Sequence, residues 1–124
     1  MKLVKGILLE FEKKPRVVEF NRDNYKELYP LLDCDTFEHA IRRIGNKKYD
    51  LWFDEEYLLK QNKLHQITGV CANYEEMIRG NILITLSADC EIETLEEEDI
   101  KNILDNIVYS LLDEYKTYIL LYRV

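Results

Sequence analysis

A run of carboxylates is the part of this sequence whose residue types could do chemistry. Seven acidic residues fall between positions 89 and 99: Asp89, Glu91, Glu93, Glu96, Glu97, Glu98 and Asp99. Residues 1–88 carry 14 basic and 14 acidic side chains, whereas residues 89–124 carry 3 basic and 10 acidic ones, so the whole formal charge of −7 arises there. A field this concentrated repels nucleic acid and attracts basic surfaces, so we expect no direct nucleic-acid partner.

Three interpretations of the acidic run differ in their chemistry. Carboxylates at a helix start, here Glu96–Asp99, stabilise the positive end of the helix dipole by a few tenths to about 1 kcal/mol each. Asp89, Glu91 and Glu93 alternate and could present three oxygen ligands to a cation, but the run lacks the glycine and Asn/Asp pattern of a calcium loop. The third interpretation is a short imitation of DNA, which carries about one charge per 1.7 Å. Capping accounts best for Glu96–Asp99, which leaves the first three acids as the place for a functional surface.

Other reactive side chains predict no active site. His39 and His65 match no zinc spacing with the cysteines, and Cys34 lies between two aspartates, which raise a thiol pKa and weaken the nucleophile. The chain has four glycines and no phosphate-binding glycine motif. We therefore predict a non-enzyme with no catalytic residue, no cofactor and no metal ligand.

The cysteine count and the first residues indicate a compartment. Three cysteines, an odd number without a Cys-x-x-Cys spacing, are typical of reduced thiols in the cytoplasm. The apolar run after Met1 is too short and too soon charged for a signal peptide or a membrane span. We expect a cytoplasmic protein with no membrane partner.

Trp52 is the candidate anchor for a protein partner. Residues 49–54 alternate, which places Trp52 with Asp50 and Asp54 and opposite Leu51 and Phe53. If only one face of the sheet is covered, Trp52 is exposed and can contact a partner. The other interpretation, which we favour slightly, is that the C-terminal helix or the segment 54–72 covers it.

Period-two patterns predict the strands that must position these residues. Leu3–Phe11 and Arg16–Phe20 predict a first hairpin, and Thr36–Ile44 with Tyr49–Asp54 predict a second around a Gly-Asn turn. Gly80–Leu86 predicts a further strand, and segment 54–72 reads as a loop that packs on the sheet.

Two helices are expected. Asn21 is a candidate N-cap for a short helix that Pro30 should stop or distort. Thr94 with Glu97 predicts a capping box for a long helix, Thr94–Tyr115. Its apolar stripe has helical spacing: Ile100, Ile103, Leu104, Ile107, Val108, Leu111, Leu112 and Tyr115. We expect Ile103, Leu104, Ile107, Val108 and Leu111 to form the centre of the core. Residues 117–124 are either a last strand, which we favour, or an apolar end of the long helix.

Three short motifs carry a family resemblance. They are Asp54-Glu55-Glu56 after a strand, Ile78-Arg79-Gly80-Asn81-Ile82 at a strand entry, and Thr94-Leu95-Glu96-Glu97-Glu98-Asp99-Ile100 at a helix start. In this order they resemble the domain-of-unknown-function family 3846, which phages, plasmids and other mobile elements mostly encode. The resemblance implies an α+β fold and a mobile-element origin, and it supplies no catalytic residue.

These observations predict one α+β domain over residues 1–124. A mainly antiparallel sheet of about five to six strands should pack against one long C-terminal amphipathic helix, with a short helix after the first hairpin. The expected function is that of an accessory protein that binds a host protein of defence or nucleic-acid processing. The expected contact residues are Asp89, Glu91, Glu93, Glu97, Glu98 and Trp52. Two alternatives stay open: a homo-oligomer built through the long helix or residues 118–122, and a binder of a small nucleotide signal.

Overall fold

The computed structural model describes residues 3–10, 13–34, 36–54, 67–71, 76–86, 92–112 and 115–120. Nine strands and two helices lie in these ranges. The strands are β1 (Leu3–Leu9), β2 (Arg16–Asn21), β3 (Phe37–Ile44), β4 (Lys47–Asp54), β5 (Ile67–Cys71), β6 (Glu76–Arg79), β7 (Ile82–Leu86), β8 (Ile107–Leu112) and β9 (Tyr115–Leu120). The helices are α1 (Leu28–Leu32), which follows a 3₁₀ turn at Tyr25–Glu27, and α2 (Glu97–Asp105).

An antiparallel five-stranded sheet organises most of the described residues. Its strand order is β2-β1-β7-β4-β3, so both predicted hairpins form and β7 joins them. The second hairpin closes through Gly45 and Asn46, with Ile44 paired to Lys47. Gly45 has φ of +63°, which is the positive φ that the first central residue of a type II′ turn needs. Local alternation and turn chemistry therefore predicted this sheet correctly, and the α+β class is confirmed.

Each face of the five-stranded sheet packs against one helix. The α2 face carries a cluster made of Ile7, Leu9, Ile44, Tyr49, Leu51, Phe53, Ile82, Ile84, Leu95 and Ile103. The α1 face carries a second cluster made of Val4, Leu8, Val18, Phe20, Leu28, Leu32, Cys34 and Leu83. Because both faces are covered at their centre, β7 is buried at four consecutive residues, Ile82 to Thr85.

The short helix α1 forms, but not where its predicted cap lies. Asn21 ends β2 instead of capping a helix, and α1 begins only at Leu28 with Glu27 as its N-cap. Pro30 is the third residue of α1, in the first turn, where its missing N–H removes no helical hydrogen bond. The helix ends at Asp33, which has φ of 52°. The helix was predicted to stop or distort at Pro30; it does not stop there but continues to Leu32.

The predicted long helix Thr94–Tyr115 is also wrong, because α2 ends at Asp105 and β8 starts two residues later. The apolar residues of segment 107–112 fit both the 3.6-residue period of a helix and the two-residue period of a strand. Ile107, Val108 and Tyr109 are β-branched or aromatic types that favour strands. β8 pairs with β9 in a second sheet of order β6-β5-β9-β8, in which β5 and β9 are parallel. The expected single sheet of five to six strands is thus a five-stranded sheet accompanied by a four-stranded one. The last predicted strand exists as β9, and residues 121–124 lie outside the described residues.

The buried stripe of α2 lies one position earlier than its apolar stripe. Four residues at helical spacing face the sheet, Asp99, Asn102, Ile103 and Asn106, and we name them the inner face. The outer face, Glu97, Glu98, Lys101, Leu104 and Asp105, is exposed. Leu104, predicted for the core, is 44% exposed, and Ile107 is half-buried at the edge of the cluster. Of the predicted core residues Ile103 is confirmed, and the side chains of Val108 and Leu111 fall outside those that the structure describes.

Candidate functional site

The first turn of α2 is capped differently from the prediction. Glu96, and not Thr94, is the N-cap, and Asp99 supplies the second half of the capping box. The Glu96 N–H donates to Asp99 Oδ2 at 3.0 Å. Thr94 instead joins the sheet, since its Oγ1 accepts the Lys5 N–H at 2.8 Å and the Leu95 N–H donates to the Lys5 carbonyl at 3.0 Å. The helix therefore starts two residues late because β1 holds the residues that precede it.

Asp99 also anchors α2 to the second hairpin. Its Oδ1 accepts a hydrogen bond from Lys47 Nζ at 2.9 Å and another from the Tyr49 hydroxyl at 3.1 Å. The Asp99 side chain is only 2% exposed, whereas that of Lys47 is 45% exposed. A buried carboxylate is tolerated when it is paired and hydrogen-bonded, and Asp99 meets both conditions.

Two asparagines extend this arrangement along the inner face. Asn102 Nδ2 donates to the Ile44 carbonyl at 2.9 Å and to the Tyr49 hydroxyl at 3.0 Å. Asn106 Nδ2 donates to the Asn102 carbonyl at 2.7 Å. A Cβ on Gly45 would collide with both asparagine side chains, so glycine is needed there for space as well as for its positive φ. We name Lys47, Tyr49, Asp99, Asn102 and Asn106 the buried polar node.

The node shifts the pKa values of two of its members in opposite directions. Burial raises the pKa of the Tyr49 hydroxyl to about 12, and the Asp99 carboxylate adds to the rise while the hydrogen bond from Asn102 opposes it. Burial also acts to raise the pKa of Asp99. The hydrogen bonds from Lys47, from the Glu96 N–H and from Tyr49 outweigh it, so this pKa lies below its ordinary value of 3.8. Near neutral pH the node therefore holds an ionised Asp99 and a neutral Tyr49.

A pocket of about 300 Å³ opens beside the node. Its lining comprises Asn46, Lys47, Tyr49, Glu98, Asp99 and Asn102. Because two carboxylates and one ammonium line it, the pocket does not favour an anionic ligand.

A larger depression lies on the other side of the α2 start. Its volume is about 890 Å³, and it is lined by Lys5, Thr94, Leu95, Glu96, Glu97, Glu98 and Ile100, which we name the acidic groove. Leu3 and Val17 lie on the same sheet face as Lys5, because Leu3 is two residues before Lys5 and Val17 pairs with Ile7. They are 52% and 46% exposed. The groove is thus lined by three carboxylates, and two exposed apolar side chains lie outside its lining on the sheet face that carries Lys5.

The structure separates the residues that the acidic run brings together in sequence. Glu97 and Glu98 reach the groove, whereas Glu93 pairs with Leu86 in a β-bridge and its Oε1 lies 3.4 Å from Arg22 Nη1. Asp89 and Glu91 lie outside the described residues. Of the three predicted acidic contact residues that the structure describes, the geometry therefore brings Glu97 and Glu98 into one concave surface and leaves Glu93 outside its lining.

Trp52 lies on the α1 face, as its alternation predicts, and it packs against the cluster on that face, so α2 does not cover it. Most of segment 54–72, the other predicted cover, lies outside the described residues. The indole is half-buried, and its Nε1 donates to Thr85 Oγ1 at 2.9 Å. Its ring stacks on His39 at 4.6 Å and meets Phe37 edge-on at 5.8 Å. Trp52 and the acidic groove are on opposite faces of the sheet, so they cannot contribute to one contact patch.

With this geometry established, the chain can be compared with known families. Residues 3–107 match the family described as a domain of unknown function, DUF3846. The chain belongs to this family. The matched range of DUF3846 runs from the start of β1 through α2 and includes both the node and the acidic groove. Comparison with curated proteins and with solved structures gives no match. Among the residues that the structure describes, no helix is both long and apolar enough to cross a membrane.

Sequence reasoning missed the node, although one signal was available. Lys47, Tyr49 and Asn102 belong to a hairpin and a helix about 50 residues apart, and no local pattern joins them. The spacing of Glu96 and Asp99 is that of a capping box moved by two residues. An aspartate in the third helical position is thus the feature that pointed to the inner face.

Proposed function

We propose that this protein is a non-enzymatic binding protein whose acidic groove docks a basic segment of another protein. The observation that carries the proposal is the position of Glu96, Glu97 and Glu98 along one wall of a depression of about 890 Å³. Complementary potentials of this kind steer encounter and select partners of opposite charge.

Within the acidic run, one carboxylate is part of the fold and its neighbours face the solvent. Asp99 is held by Lys47 and Tyr49 inside the fold, while the neighbouring Glu97 and Glu98 are exposed in the groove. The capping requirement of α2 is met by Glu96 and Asp99, so the fold does not need Glu97 and Glu98 for it. These two carboxylates are therefore available to a partner.

Two exposed apolar side chains outside the groove lining extend the proposed contact surface. Protein interfaces combine an apolar centre with a polar rim, and the energy is concentrated in the centre. Leu3 and Val17 are exposed on the sheet face that also presents Lys5 to the groove. The segment that fits would carry lysine or arginine next to aliphatic or aromatic residues.

The partner class that we propose is a host protein of defence or nucleic-acid processing. Such proteins carry basic surfaces that bind phosphate backbones, and an acidic groove would compete for them. The mobile-element origin implied by the family resemblance fits a cytoplasmic accessory protein of this kind. A binder of an anionic nucleotide signal is less favoured, because the pocket beside the node contains Glu98 and Asp99 with a single lysine.

The test compares two variants with the same change of charge. Glu97→Lys/Glu98→Lys reverses the groove, and Asp23→Lys/Asp105→Lys makes the same change at exposed positions outside it. Wild type and both variants are used to capture proteins from host lysate, and each captured protein is then purified and titrated by calorimetry. We expect a partner that binds the wild type and the control alike, binds the groove variant at least about tenfold more weakly, and weakens with added salt. Equal affinity for all three proteins would exclude the groove as the contact.

A further inference from the structure

The edge of β3 that no described strand pairs with carries a self-complementary pattern of charges. β3 is an end strand of the five-stranded sheet, and among the described residues its strand partner is β4 on one side. Residues 38 to 43 read Glu-His-Ala-Ile-Arg-Arg, with Glu38 two residues before Ala40 and Arg42 two residues after it. An edge strand with opposite charges placed symmetrically about one residue can pair with a copy of itself.

The hydrogen-bond phase of β3 shows which backbone groups face this edge. The two-residue turn makes Ile44 and Lys47 a directly hydrogen-bonded pair, so Arg42, Ala40 and Glu38 also bond to β4. Phe37, His39, Ile41 and Arg43 therefore direct their N–H and C=O groups outwards. Arg42 Nη1 confirms this phase, since it reaches over the edge to the Ile41 carbonyl at 2.8 Å.

We propose that two copies of this chain pair through β3, antiparallel and related by a twofold axis at Ala40. In this register His39 faces Ile41 of the second copy, and these two residues exchange backbone hydrogen bonds, as the outward phase requires. Glu38 faces Arg42 of the second copy, and the pair occurs twice because the interface is isologous. The two five-stranded sheets then form one continuous sheet of ten strands.

Side-chain exposure fits the same register on both faces. Ile41 is 49% exposed and pairs with Asp50 on β4, so it stands on the Trp52 face next to the stacked His39 ring. The second copy covers Ile41 with His39. Glu38 and Arg42 stand together on the α2 face, opposite Phe53 and Tyr49. Moving the register by two residues pairs Glu38 with Ala40 or with Ile44, which loses both ion pairs.

The charges also explain why this edge should not bind any strand. Charged side chains on an edge discourage non-specific pairing. Any strand that pairs with this edge must displace the Arg42 side chain from the Ile41 carbonyl. A second copy in the proposed register gains two ion pairs in return, whereas an uncharged or differently placed strand gains none. An interface limited to one strand of eight residues is small, so the dimer should be weak and concentration-dependent.

Charge exchange tests the proposal without breaking β3–β4 pairing. Sedimentation equilibrium from the micromolar to the near-millimolar range should show a monomer–dimer equilibrium for the full chain. Glu38→Arg and Arg42→Glu should each weaken the dimer by about tenfold, because each puts two like-charged pairs across the axis. Mixing these two variants should restore dimers as heterodimers, and the double variant Glu38→Arg/Arg42→Glu should restore the homodimer. Lys48→Glu, an exposed change on β4 away from the edge, is the control that should leave the dimer intact.

Two results would overturn the proposed β3 dimer. A chain that stays monomeric over the whole range overturns the proposal, as does a dimer that neither single variant weakens. Circular dichroism of each variant separates loss of pairing from loss of fold. Because the acidic groove and β3 lie at different places, the groove variant Glu97→Lys/Glu98→Lys should dimerise like the wild type.

Discussion

The two faces of α2 use the same residue types for different purposes. The inner face holds Asp99 and two asparagines against the second hairpin, and three of its four residues are polar. The outer face presents Glu97 and Glu98 to solvent and includes the apolar Leu104, which is 44% exposed. Polarity therefore does not decide which side of this helix is buried. The hydrogen-bond partners that the hairpin offers decide it.

This contrast teaches how an acidic run should be read. Successive residues of a helix are about 100° apart around its axis, so neighbouring carboxylates in the run Glu97-Glu98-Asp99 point to different environments. One becomes part of the fold and two remain on the surface. A run of like charges is thus a mixture of structural and surface groups, and its net charge overstates the part that a partner can meet.

The largest expected effect separates two neighbouring apolar residues of α2. Ile103→Asp puts a charge into the cluster on the α2 face, where Ile103 is 0% exposed, and should cost at least about 4 kcal/mol or prevent folding. Leu104→Asp should cost less than about 1 kcal/mol. Urea unfolding followed by circular dichroism measures both. If Ile103→Asp yields no folded protein, Ile103→Ala at about 3 kcal/mol gives the comparison with Leu104→Ala. Equal losses would contradict the assignment of the two faces.

The next effect compares two carboxylates of the first turn. Asp99→Ala removes one half of the capping box and leaves Lys47 and Tyr49 without their acceptor, so we expect a loss of about 3 kcal/mol. Glu98→Ala should change the free energy of unfolding by less than about 0.5 kcal/mol. Chemical denaturation at neutral pH measures the difference. Similar values for the two variants would mean that Asp99 is not the anchor of α2.

Two glycines with positive φ test the space around the node. Gly45→Ala should cost about 3 kcal/mol, because the new Cβ strains the backbone and also displaces Asn102 and Asn106. Gly80→Ala has nothing within 4 Å of the new Cβ and should cost about 1 kcal/mol from strain alone. The difference in stability loss between the two variants, measured by thermal unfolding, is the part due to displacing the asparagines. If Gly45→Ala costs no more stability than Gly80→Ala, the node accommodates the new Cβ without loss.

The smallest effect is a pH dependence that only the inner face should show. The pKa of Tyr49 is raised from 10.0 to about 12 on folding, so its contribution to stability is complete below pH 10 and is lost as pH rises towards 12. The loss at pH 11 should be on the order of 1 kcal/mol. Tyr49→Phe should be less stable at neutral pH and should lack this part of the alkaline decline. Parallel stability curves for the two proteins between pH 9 and pH 11 would contradict the raised pKa.

Low pH destabilises the same node through Asp99, whose pKa shifts on folding in the opposite direction to that of Tyr49. Because the pKa of Asp99 is lowered on folding, its contribution is complete above the unfolded value of about 3.8 and is lost as pH falls through the lower folded value. Asp99→Ala should show a smaller acid sensitivity than the wild type below pH 4, measured by the same unfolding experiment. Glu98→Ala is the matched control and should follow the wild-type curve.

The sequence was sufficient where structure is local. The alternation of Tyr49–Asp54 and the Gly-Asn turn predicted the second hairpin, and the carboxylates after Thr94 placed the start of α2 within three residues of Glu97. It was insufficient where contacts are distant. β5 was missed, and one of its two partners, β9, lies about 50 residues later; its other partner, β6, is a local neighbour of four residues that was missed as well. The continued apolar spacing beyond Asp105 favoured a helix that β8 replaces, because a period of two fits the same residues.

The candidate site was predictable only in part for the same reason. Glu97 and Glu98 were recognised from their charge, but Lys5 of β1 joins them in the groove only once β1 and α2 have docked. Nothing local marks Lys47 and Tyr49 as the partners of Asp99. Long-range contacts of the inner face therefore decide which carboxylates of the run lie on the outer face.

The contact between Trp52 and His39 provides an optical reporter for a region that α2 does not touch. Trp52 is the single tryptophan of the chain, so its emission comes from one known position beside β3. The His39 imidazole stacks on the indole with ring centroids 4.6 Å apart, so the emission reports on the surroundings of His39. The emission should therefore change with protein concentration when a second strand covers His39, and His39→Gln, which removes the stacked ring, should alter that change.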